Sequence, residues 1–248
     1  EQTQQWTGED VPDFPVSKPP DYQPSPDAQG MDAHPGDAPF LMQRDGLGWL
    51  FAPEGVIDGP LPTHYEPLES PVRNALYPQQ SNPMANWFHR PENPFAKPGD
   101  SRFPHVLTTY RLTEHQTGGG MTRFVSRLAE LQPELFVEIS PELAGELNVA
   151  NGDWIAVVTP RGGIEARAMV TRRLRPLQIA GRTVHQVAVP FHWGYAGPST
   201  GDVANDLTPM SGEPNVAIHE SKALVCVVIP GRIPTGEDHA AWLEKVLG

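Results

Sequence analysis

The chain carries two patterns of apolar and polar residues, and the boundary between them lies near His105. Beyond it, short apolar runs bounded by glycine, proline and polar turns predict β-strands. These runs lie at 105–111, 136–139, 154–159, 164–171, 184–191 and 223–229. The turn Pro-Arg-Gly-Gly at 160–163 joins two of them in a hairpin. Many short strands with short helices between them predict a mainly β domain over 105–230, closed into a barrel.

Three segments have the pattern of short helices. The first follows Ser140, a good N-cap, has proline at its first helical position and runs to about Asn148. A second, at 239–247, lies within a predicted C-terminal tail, 233–248. The third spans 121–132, and its apolar side chains fall on one face, namely Phe124, Leu128 and Leu131.

Residues 1–104 have almost no helical periodicity. Residues 1–100 hold 18 of the 29 prolines, which favours extended and turn structure. Aromatic side chains are nevertheless spread through the segment, whereas disordered linkers are poor in them. We therefore predict an ordered, extended, proline-rich arm that packs on a surface larger than itself. The expected contacts are Trp6, Phe14, Phe40, Trp49, Leu50, Phe51, Tyr65, Tyr77, Trp87 and Phe88.

Acidic residues are concentrated in the arm. The whole chain has a net charge of −12, and residues 1–100 hold 15 acidic against 5 basic residues. This balance argues against nucleic-acid binding. Residues 101–248 hold 15 acidic and 13 basic residues, and eleven of the basic residues are arginine. That composition suits either recognition of phosphate and pyrophosphate or an ordinary arginine-rich surface.

The segment 105–123 runs from a predicted strand into a glycine-rich turn. Three consecutive glycines, Gly118–Gly120, allow positive φ angles and close approach of the backbone to another group. The polar side chains around them suit an anionic ligand with many oxygens, and the alternative is a flexible surface loop. These side chains are Arg111, His115, Thr117, Thr122 and Arg123.

The chain has one cysteine, Cys226, so it forms no internal disulfide. By itself it also holds no cysteine-based zinc site or iron–sulfur cluster. Cys226 lies inside an apolar run, and we expect a buried, unreactive thiol. The patterns H-E-x-x-H, P-loop and G-x-S-x-G are absent from the sequence. No apolar run has the length that a membrane-spanning helix needs.

Several stretches, taken in order, point to one family. They are Thr-Thr-Tyr-Arg-Leu-Thr-Glu-His at 108–115, Phe-Val-Glu-Ile-Ser-Pro-Glu-Leu-Ala at 136–144, Asn-Gly-Asp at 151–153, the run at 161–171, Pro-Phe-His-Trp-Gly-Tyr at 190–195, Asn-Asp-Leu-Thr-Pro at 205–209 and Glu-Ser-Lys at 220–222, with two more in the arm at 45–53 and 58–71. Together they resemble the C-terminal part of the large (alpha) subunit of molybdenum- or tungsten-dependent formate dehydrogenases, most closely the membrane-associated respiratory type.

The resemblance implies a double-psi β-barrel that binds two molybdopterin guanine dinucleotides sharing one molybdenum or tungsten ion. In such a site, arginine and lysine neutralise pyrophosphate, and histidine and asparagine bond the pterin edges. For His192 and Asn205 the alternatives are a hydrogen-bonded structural histidine and a turn residue. The implied cofactor contacts are Arg111, Leu112, Thr113, His115, Gln116, Thr117, Gly118, Met121, Phe191, His192, Trp193, Asn205, Asp206, Ser221 and Lys222.

The family oxidises formate to carbon dioxide and passes two electrons through the metal to an iron–sulfur chain. Its selenocysteine or cysteine metal ligand and a 4Fe-4S cluster lie in earlier parts of the large subunit. We therefore expect no catalytic or metal-ligating residue in this chain and no activity from it alone. The implied partners are the N-terminal part of the large subunit, an iron–sulfur beta subunit and, in the membrane-associated type, a cytochrome subunit.

The start at Glu1 fits a piece of that large subunit, either separately encoded or cut from a longer product. Two other functions stay open at this point. One is another molybdopterin oxidoreductase with a different substrate, and the other is a cofactor-free barrel that serves as a binding or assembly module. The respiratory resemblance implies the periplasmic face of a membrane, with the cytoplasm as the alternative.

Overall fold

A computed structural model describes residues 21–28, 35, 41–42, 48–49, 65–76, 82, 84–213 and 218–247. The chain divides into two compact units, Glu1–Pro62 and Thr63–Gly248. In the first unit, β1 (Leu41–Met42) pairs antiparallel with β2 (Gly48–Trp49). The predicted arm contacts that lie outside the described residues are the side chain of Trp49 and all of Trp6, Phe14, Phe40, Leu50, Phe51 and Tyr77.

The second unit is a β-barrel with short helices. After α1 (Met84–Trp87), the elements are β3 (His105–Tyr110), α2 (Ser126–Leu131), β4 (Phe136–Ile139), α3 (Pro141–Leu147), β5 (Trp154–Thr159), β6 (Gly162–Val170), β7 (Leu177–Ile179), β8 (Arg182–Val184), β9 (Gln186–Pro190), β10 (Leu224–Pro230) and α4 (Glu237–Leu247). Six strands close into a ring in the order β10-β3-β9-β4-β6-β5. The mainly β class and the closed barrel are therefore confirmed.

The barrel is built from two interleaved halves of three strands. Two neighbouring pairs are parallel, β3 with β9 and β4 with β6, and the other pairs are antiparallel. If β3 is exchanged with β6, β4 with β9 and β5 with β10, the same ring of strands results, read in the opposite direction. The exchange converts each of the two parallel pairs into the other. The strands thus have the pseudo-two-fold arrangement expected of a double-psi barrel.

The barrel interior is filled by branched aliphatic side chains from every strand. Along β3, burial alternates from residue to residue, as expected for a strand with one face toward the core. Six side chains from four other strands have no exposed surface: Val137, Ile139, Ile155, Val157, Ile164 and Val187. Cys226 is also fully buried, and burial raises the pKa of its thiol, which agrees with the predicted unreactive cysteine.

The predicted start and end of α3 are confirmed by its caps. Ser140 Oγ accepts a hydrogen bond from the Leu143 N–H at 3.1 Å, as an N-cap side chain does. Asn148 ends the helix in the left-handed conformation, with φ of 53°. Local sequence chemistry therefore determines this helix at both ends.

Two predicted elements differ in the structure. The predicted strand 184–191 is interrupted at His185, where β8 ends and β9 begins, and β8 pairs with β7 in a hairpin that the sequence analysis missed. The predicted helix 121–132 is a 3-10 turn at Thr122–Phe124 followed by α2, and its apolar face is largely exposed, because Phe124 and Leu131 are 60% and 64% exposed.

Part of the predicted arm belongs to the second unit. Phe103 and Ala96 are buried and pack in one apolar cluster with Val225 of β10. In contrast, Trp87 is 77% exposed within the described part of the chain, and its packing on a surface of another chain or of a missing part stays a prediction. Among the described residues, no helix is both long enough and apolar enough to cross a membrane.

Candidate functional site

Three of the four predicted ligand segments meet at one end of the barrel. β3 and β9 run parallel, so the chain leaves both strands at the same end, into a first loop that begins at Arg111 and a second loop that begins at Phe191. The third segment, Ser221–Lys222, comes just before the antiparallel β10 and lies beside the end of β3. Two hydrogen bonds fix it there: Thr109 Oγ1 donates to the Ser221 carbonyl at 2.9 Å, and Lys222 Nζ donates to the Thr109 carbonyl.

The cluster contains two cations, Arg111 and Lys222, and the first lies beside an aromatic ring. The Arg111 guanidinium carbon lies 5.0 Å from the centre of the Phe191 ring. Burial lowers the pKa of Lys222, and the positive charge of Arg111 lowers it further. No ion pair within the described residues joins either side chain to a carboxylate. The cluster therefore presents positive charge that an anion would compensate.

His192 is fully buried and links two of the loops. Its Nε2 accepts a hydrogen bond from the Leu112 N–H at 2.7 Å, and its Nδ1 faces the Thr117 carbonyl. These partners require the neutral ring with the proton on Nδ1. Burial is the main cause that lowers the pKa of His192, and the Thr117 hydrogen bond opposes it. Both ring nitrogens are occupied, so the ring positions the loops in this structure.

Within the glycine turn, Gly119 is the position at which the backbone geometry allows only glycine. Its φ is +73°, and a Cβ placed there would lie 2.1 Å from the His192 carbonyl oxygen. Neither constraint applies to Gly118 or Gly120, whose Cβ positions are open. Thr117 also has a positive φ, 47°. The turn thus lies against the backbone of the second loop at a distance that only glycine allows.

His115 and Trp193 lie behind the turn in the interior. His115 Nδ1 lies 3.2 Å from Thr122 Oγ1, and Trp193 Nε1 donates to Ser199 Oγ at 3.2 Å. Their rings pack edge-on at 5.5 Å. Both side chains are almost fully buried. Their polar atoms are engaged within the protein, so they support the loops from inside.

The remaining predicted residues of the first loop are at the surface. Leu112 is half-buried and packs against the barrel core. The Gln116 N–H donates to Thr122 Oγ1, and Gly118 leaves space above the turn. The exposed members of this loop are Thr113, Gln116, Thr117, Gly118 and Met121.

Asn205 and Asp206 do not join the other three segments. They form a 3-10 turn that packs on the β5–β6 connection, where the Asp206 carbonyl lies next to Gly162. Both residues line a separate cavity of about 920 Å³. Its other walls include Trp87 of α1 and Leu243 of α4. The Tyr195 hydroxyl donates to Asp206 Oδ2 at 3.3 Å and connects the second loop with this turn.

A buried ion pair fixes the wall of that cavity. Arg161 and Glu69 form two hydrogen bonds, at 2.7 and 3.0 Å, and neither side chain is more than 5% exposed. Arg161 Nε also donates to the Leu207 carbonyl at 2.9 Å, directly after the Asn205–Asp206 turn. Glu69 Oε1 accepts from the Ala96 N–H. Residues of the predicted arm thus position a predicted ligand segment.

The sequence does not predict this pair, the special requirement for glycine at Gly119, or the interior position of Arg123. Arg123 was expected beside a ligand, but its guanidinium is buried under the second loop. The sequence carries only weak signals for these features. Glu69 is one acidic residue in an acidic arm, and Gly119 is the middle of three identical residues. For the buried pair, the usable signal was an acidic residue directly after Leu68 in a stretch that resembles the family.

The residues present fit an anionic dinucleotide better than a metal ion. Arg111 and Lys222 supply positive charge, and Gly119 brings the glycine turn against the second loop beside them. In the described part of the chain, no group of three or more histidine, cysteine, aspartate or glutamate side chains could hold a metal ion. The donor set therefore suits phosphate groups.

Comparison with known proteins agrees with this geometry. The family model described as "Molydopterin dinucleotide binding domain" matches residues 106–224. The chain is 43% identical over 90% of its length to "Formate dehydrogenase 2 subunit alpha (cytochrome c-553)" of Nitratidesulfovibrio vulgaris. It is 41% identical over 89% of its length to "Formate dehydrogenase-O major subunit" of Escherichia coli K12, and 39% identical over 89% to "Formate dehydrogenase subunit alpha" of Megalodesulfovibrio gigas.

The chain spans only about a fifth of the length of these relatives, namely 21% of the first and 20% of the other two. The matched region of the family model begins within β3 and ends at the first residue of β10, so it covers five of the six barrel strands almost completely and every predicted ligand segment. Residues 106–224 match the family of molydopterin dinucleotide binding domains, and the resemblance to formate dehydrogenase large subunits is confirmed.

Proposed function

We propose that this chain is the C-terminal portion of a formate dehydrogenase large subunit. In that role it holds two molybdopterin guanine dinucleotides while formate is oxidised to carbon dioxide and electrons pass to an iron–sulfur chain. The observation that carries the proposal is the 43% identity to a formate dehydrogenase alpha subunit over 90% of this chain. When bound, the cofactor supplies the metal, molybdenum or tungsten, that accepts two electrons from formate.

In this proposal the chain's own residues bind the cofactor and orient it. Arg111 and Lys222 neutralise pyrophosphate at the end of the barrel, and the Phe191 ring forms a flat apolar surface beside them. Ser221 and the exposed members of the first loop, from Thr113 to Met121, border this position. His115, His192 and Trp193 hold the two loops in place from the interior.

Asn205 and Asp206 would contact a different part of the cofactor, in the cavity of about 920 Å³. A carboxylate accepts hydrogen bonds, and an amide both accepts and donates them, so the two side chains suit the polar edge of a heterocycle. The separation of this cavity from the Arg111–Lys222 cluster fits a long ligand, or two ligands, better than one compact ligand.

The proposal requires partners. The metal ligand and the 4Fe-4S cluster would come from the N-terminal part of the large subunit. An iron–sulfur beta subunit and a membrane cytochrome subunit would be the next partners in electron transfer. An exposed apolar surface next to the glycine turn supports a covering partner, since it consists of Met121, Phe124, Val125 and Leu131. For location we propose the periplasmic side of a membrane, on the basis of the respiratory resemblance alone.

Native mass spectrometry of the complex purified from its source tests the proposal. We expect this chain together with a larger chain, and release of guanine nucleotide with molybdenum or tungsten on denaturation. The isolated chain should not oxidise formate. A chain that is isolated without nucleotide, metal or larger partner would instead favour a cofactor-free binding module.

Variants test whether the Arg111–Lys222 cluster is what retains the guanine nucleotide. Replacing Arg111 and Lys222 together by alanine should strongly reduce the guanine nucleotide retained by the complex. Arg182→Ala is the matched control, because it removes an exposed arginine of the β7–β8 hairpin. Equal retention in the double variant and the control would contradict the assignment of these two residues.

A further inference from the structure

Arg123 is an arginine buried between the two loops of the site. It lies on the 3-10 turn that follows the glycine turn, and it is 6% exposed. Its Nη1 donates to three carbonyl oxygens of the second loop, those of Gly194, Ala196 and Ser199. One guanidinium group therefore holds the whole segment 194–199, which directly follows His192 and Trp193.

Two glycines make room for this side chain. A Cβ on Gly119 would lie 3.2 Å from Arg123 Nε, and a Cβ on Gly194 would lie 3.2 Å from Nη2. Gly197 is required for its backbone conformation, a φ of +110°, because a Cβ there would make an ordinary contact with Nη1 at 3.7 Å. The first and second loops thus both lack side chains where they approach the guanidinium. This arrangement indicates that both loops are shaped to enclose an arginine side chain at this position.

The charge of Arg123 is uncompensated by any acidic residue in the described part of the chain. None of the ion pairs there includes it, and its Nε is buried without a hydrogen-bond partner. A buried charge without a counter-ion is unfavourable, and the three carbonyl dipoles offset only part of that penalty. An anion bound above the glycine turn would supply the missing compensation.

We propose that Arg123 is a positioning residue of the cofactor site. Its guanidinium holds segment 194–199 against the glycine turn, and its buried charge favours an anionic group at the Arg111–Lys222 cluster. The identity of that anion as a cofactor pyrophosphate rests on the proposed function, whereas the positioning of segment 194–199 does not.

Two substitutions separate the geometry from the charge. Arg123→Lys keeps the positive charge but loses the planar group that reaches three carbonyls, and Arg123→Met removes the charge at similar length. Arg127→Met is the matched control, since Arg127 is exposed on α2. All are made in the full 248-residue chain.

Hydrogen exchange followed by mass spectrometry tests the positioning. Both Arg123 variants should raise exchange in 194–199 by about tenfold or more, while the barrel strands keep the protection of the unaltered chain. Gly197→Ala should produce the same local effect with Arg123 intact. If Arg123→Met fails to fold, Arg123→Lys decides the question, because it keeps the buried positive charge. Unchanged exchange in 194–199 for the folded variants would overturn the proposal.

Calorimetric titration with inorganic pyrophosphate tests the charge. We expect Arg123→Met to weaken binding about threefold to tenfold, and Arg123→Lys to restore most of the affinity despite its faster exchange. A purely structural arginine would show no such rescue, and equal affinities for the two variants would overturn the electrostatic role. If the unaltered chain binds no pyrophosphate, the cofactor assignment fails, while the exchange result still decides the positioning role.

Discussion

The Leu112 N–H donates a hydrogen bond to His192 Nε2 at 2.7 Å and thereby joins the loops that follow two parallel strands. Replacing His192 by phenylalanine keeps a ring in the core but leaves the Leu112 N–H without this partner. The Thr117 carbonyl also loses its contact. We expect the free energy of unfolding to fall by about 1–3 kcal/mol. Urea denaturation measures it.

His89→Phe provides the comparison, because His89 is exposed on the same chain. It should change the free energy of unfolding by less than about 0.5 kcal/mol. If the two substitutions have equal effects, the link between the loops contributes nothing to stability.

His105 makes the barrel sensitive to acid. Burial, followed by the positive charge of His185, lowers the pKa of His105 from 6.5 to about 4, and Glu146 acts in the opposite direction. The unfolded chain therefore binds a proton at higher pH than the folded chain. The free energy of unfolding should fall as pH decreases from about 6.5 to about 4, by about 3 kcal/mol from this group.

Denaturation curves at a series of pH values test this. His105→Phe should flatten the decrease over that interval, whereas the exposed His89→Phe should leave the slope unchanged. A slope that persists in His105→Phe would assign the acid sensitivity to other groups.

The three glycines of the turn should respond differently to alanine. Gly119→Ala places a Cβ 2.1 Å from the His192 carbonyl oxygen at a φ of +73°. It should lower the free energy of unfolding by about 3 kcal/mol or more. Gly118→Ala and Gly120→Ala meet open space and should stay within about 0.5 kcal/mol of the unaltered chain. Similar losses at all three positions would contradict this geometry.

Breaking the Glu69–Arg161 pair should be strongly destabilising. Glu69→Gln or Arg161→Met leaves a charge buried without its counter-ion, at an expected loss of about 3–5 kcal/mol. The double variant should recover part of this loss. In the exposed Arg167–Glu134 pair, at 3.5 Å, Glu134→Gln should cost less than about 1 kcal/mol. A single substitution at Glu69 that is equally mild would mean that water reaches the pair.

The sequence predicts those elements whose own residues determine where they begin and end. Trp154–Thr159 is a strand at its predicted limits, and Ser140 caps α3 as predicted. His185 divides the strand predicted at 184–191, because Val184 pairs with β7 whereas Gln186 pairs with β3. The His185 carbonyl accepts from the Val106 N–H, and its Nε2 lies 3.1 Å from Glu146. Tertiary contacts of this kind leave no signal in apolar periodicity.

In the candidate site, too, some features follow from the sequence and others depend on tertiary packing. Arg111 and Lys222 were predicted from the family resemblance, and the structure brings them together. The burial of His115 and Arg123 could not be predicted, because charged and polar residue types normally favour the surface. Only the packing of the second loop over them places them inside. The β7–β8 hairpin had one usable signal, the Ala180-Gly181 turn, where both residues have positive φ.

The ring of strands also determines when the domain can fold. Its last strand pairs with its first, through Leu224 and Leu107, and also with β5. Nearly the whole domain must leave the ribosome before the ring can close, and contacts so distant along the chain make folding slow. Until then the edge of β3 that pairs with β10 lacks its barrel partner, whereas β9 is already available to the other edge. Any ligand held between the loops is therefore enclosed by a complete barrel only after that final pairing.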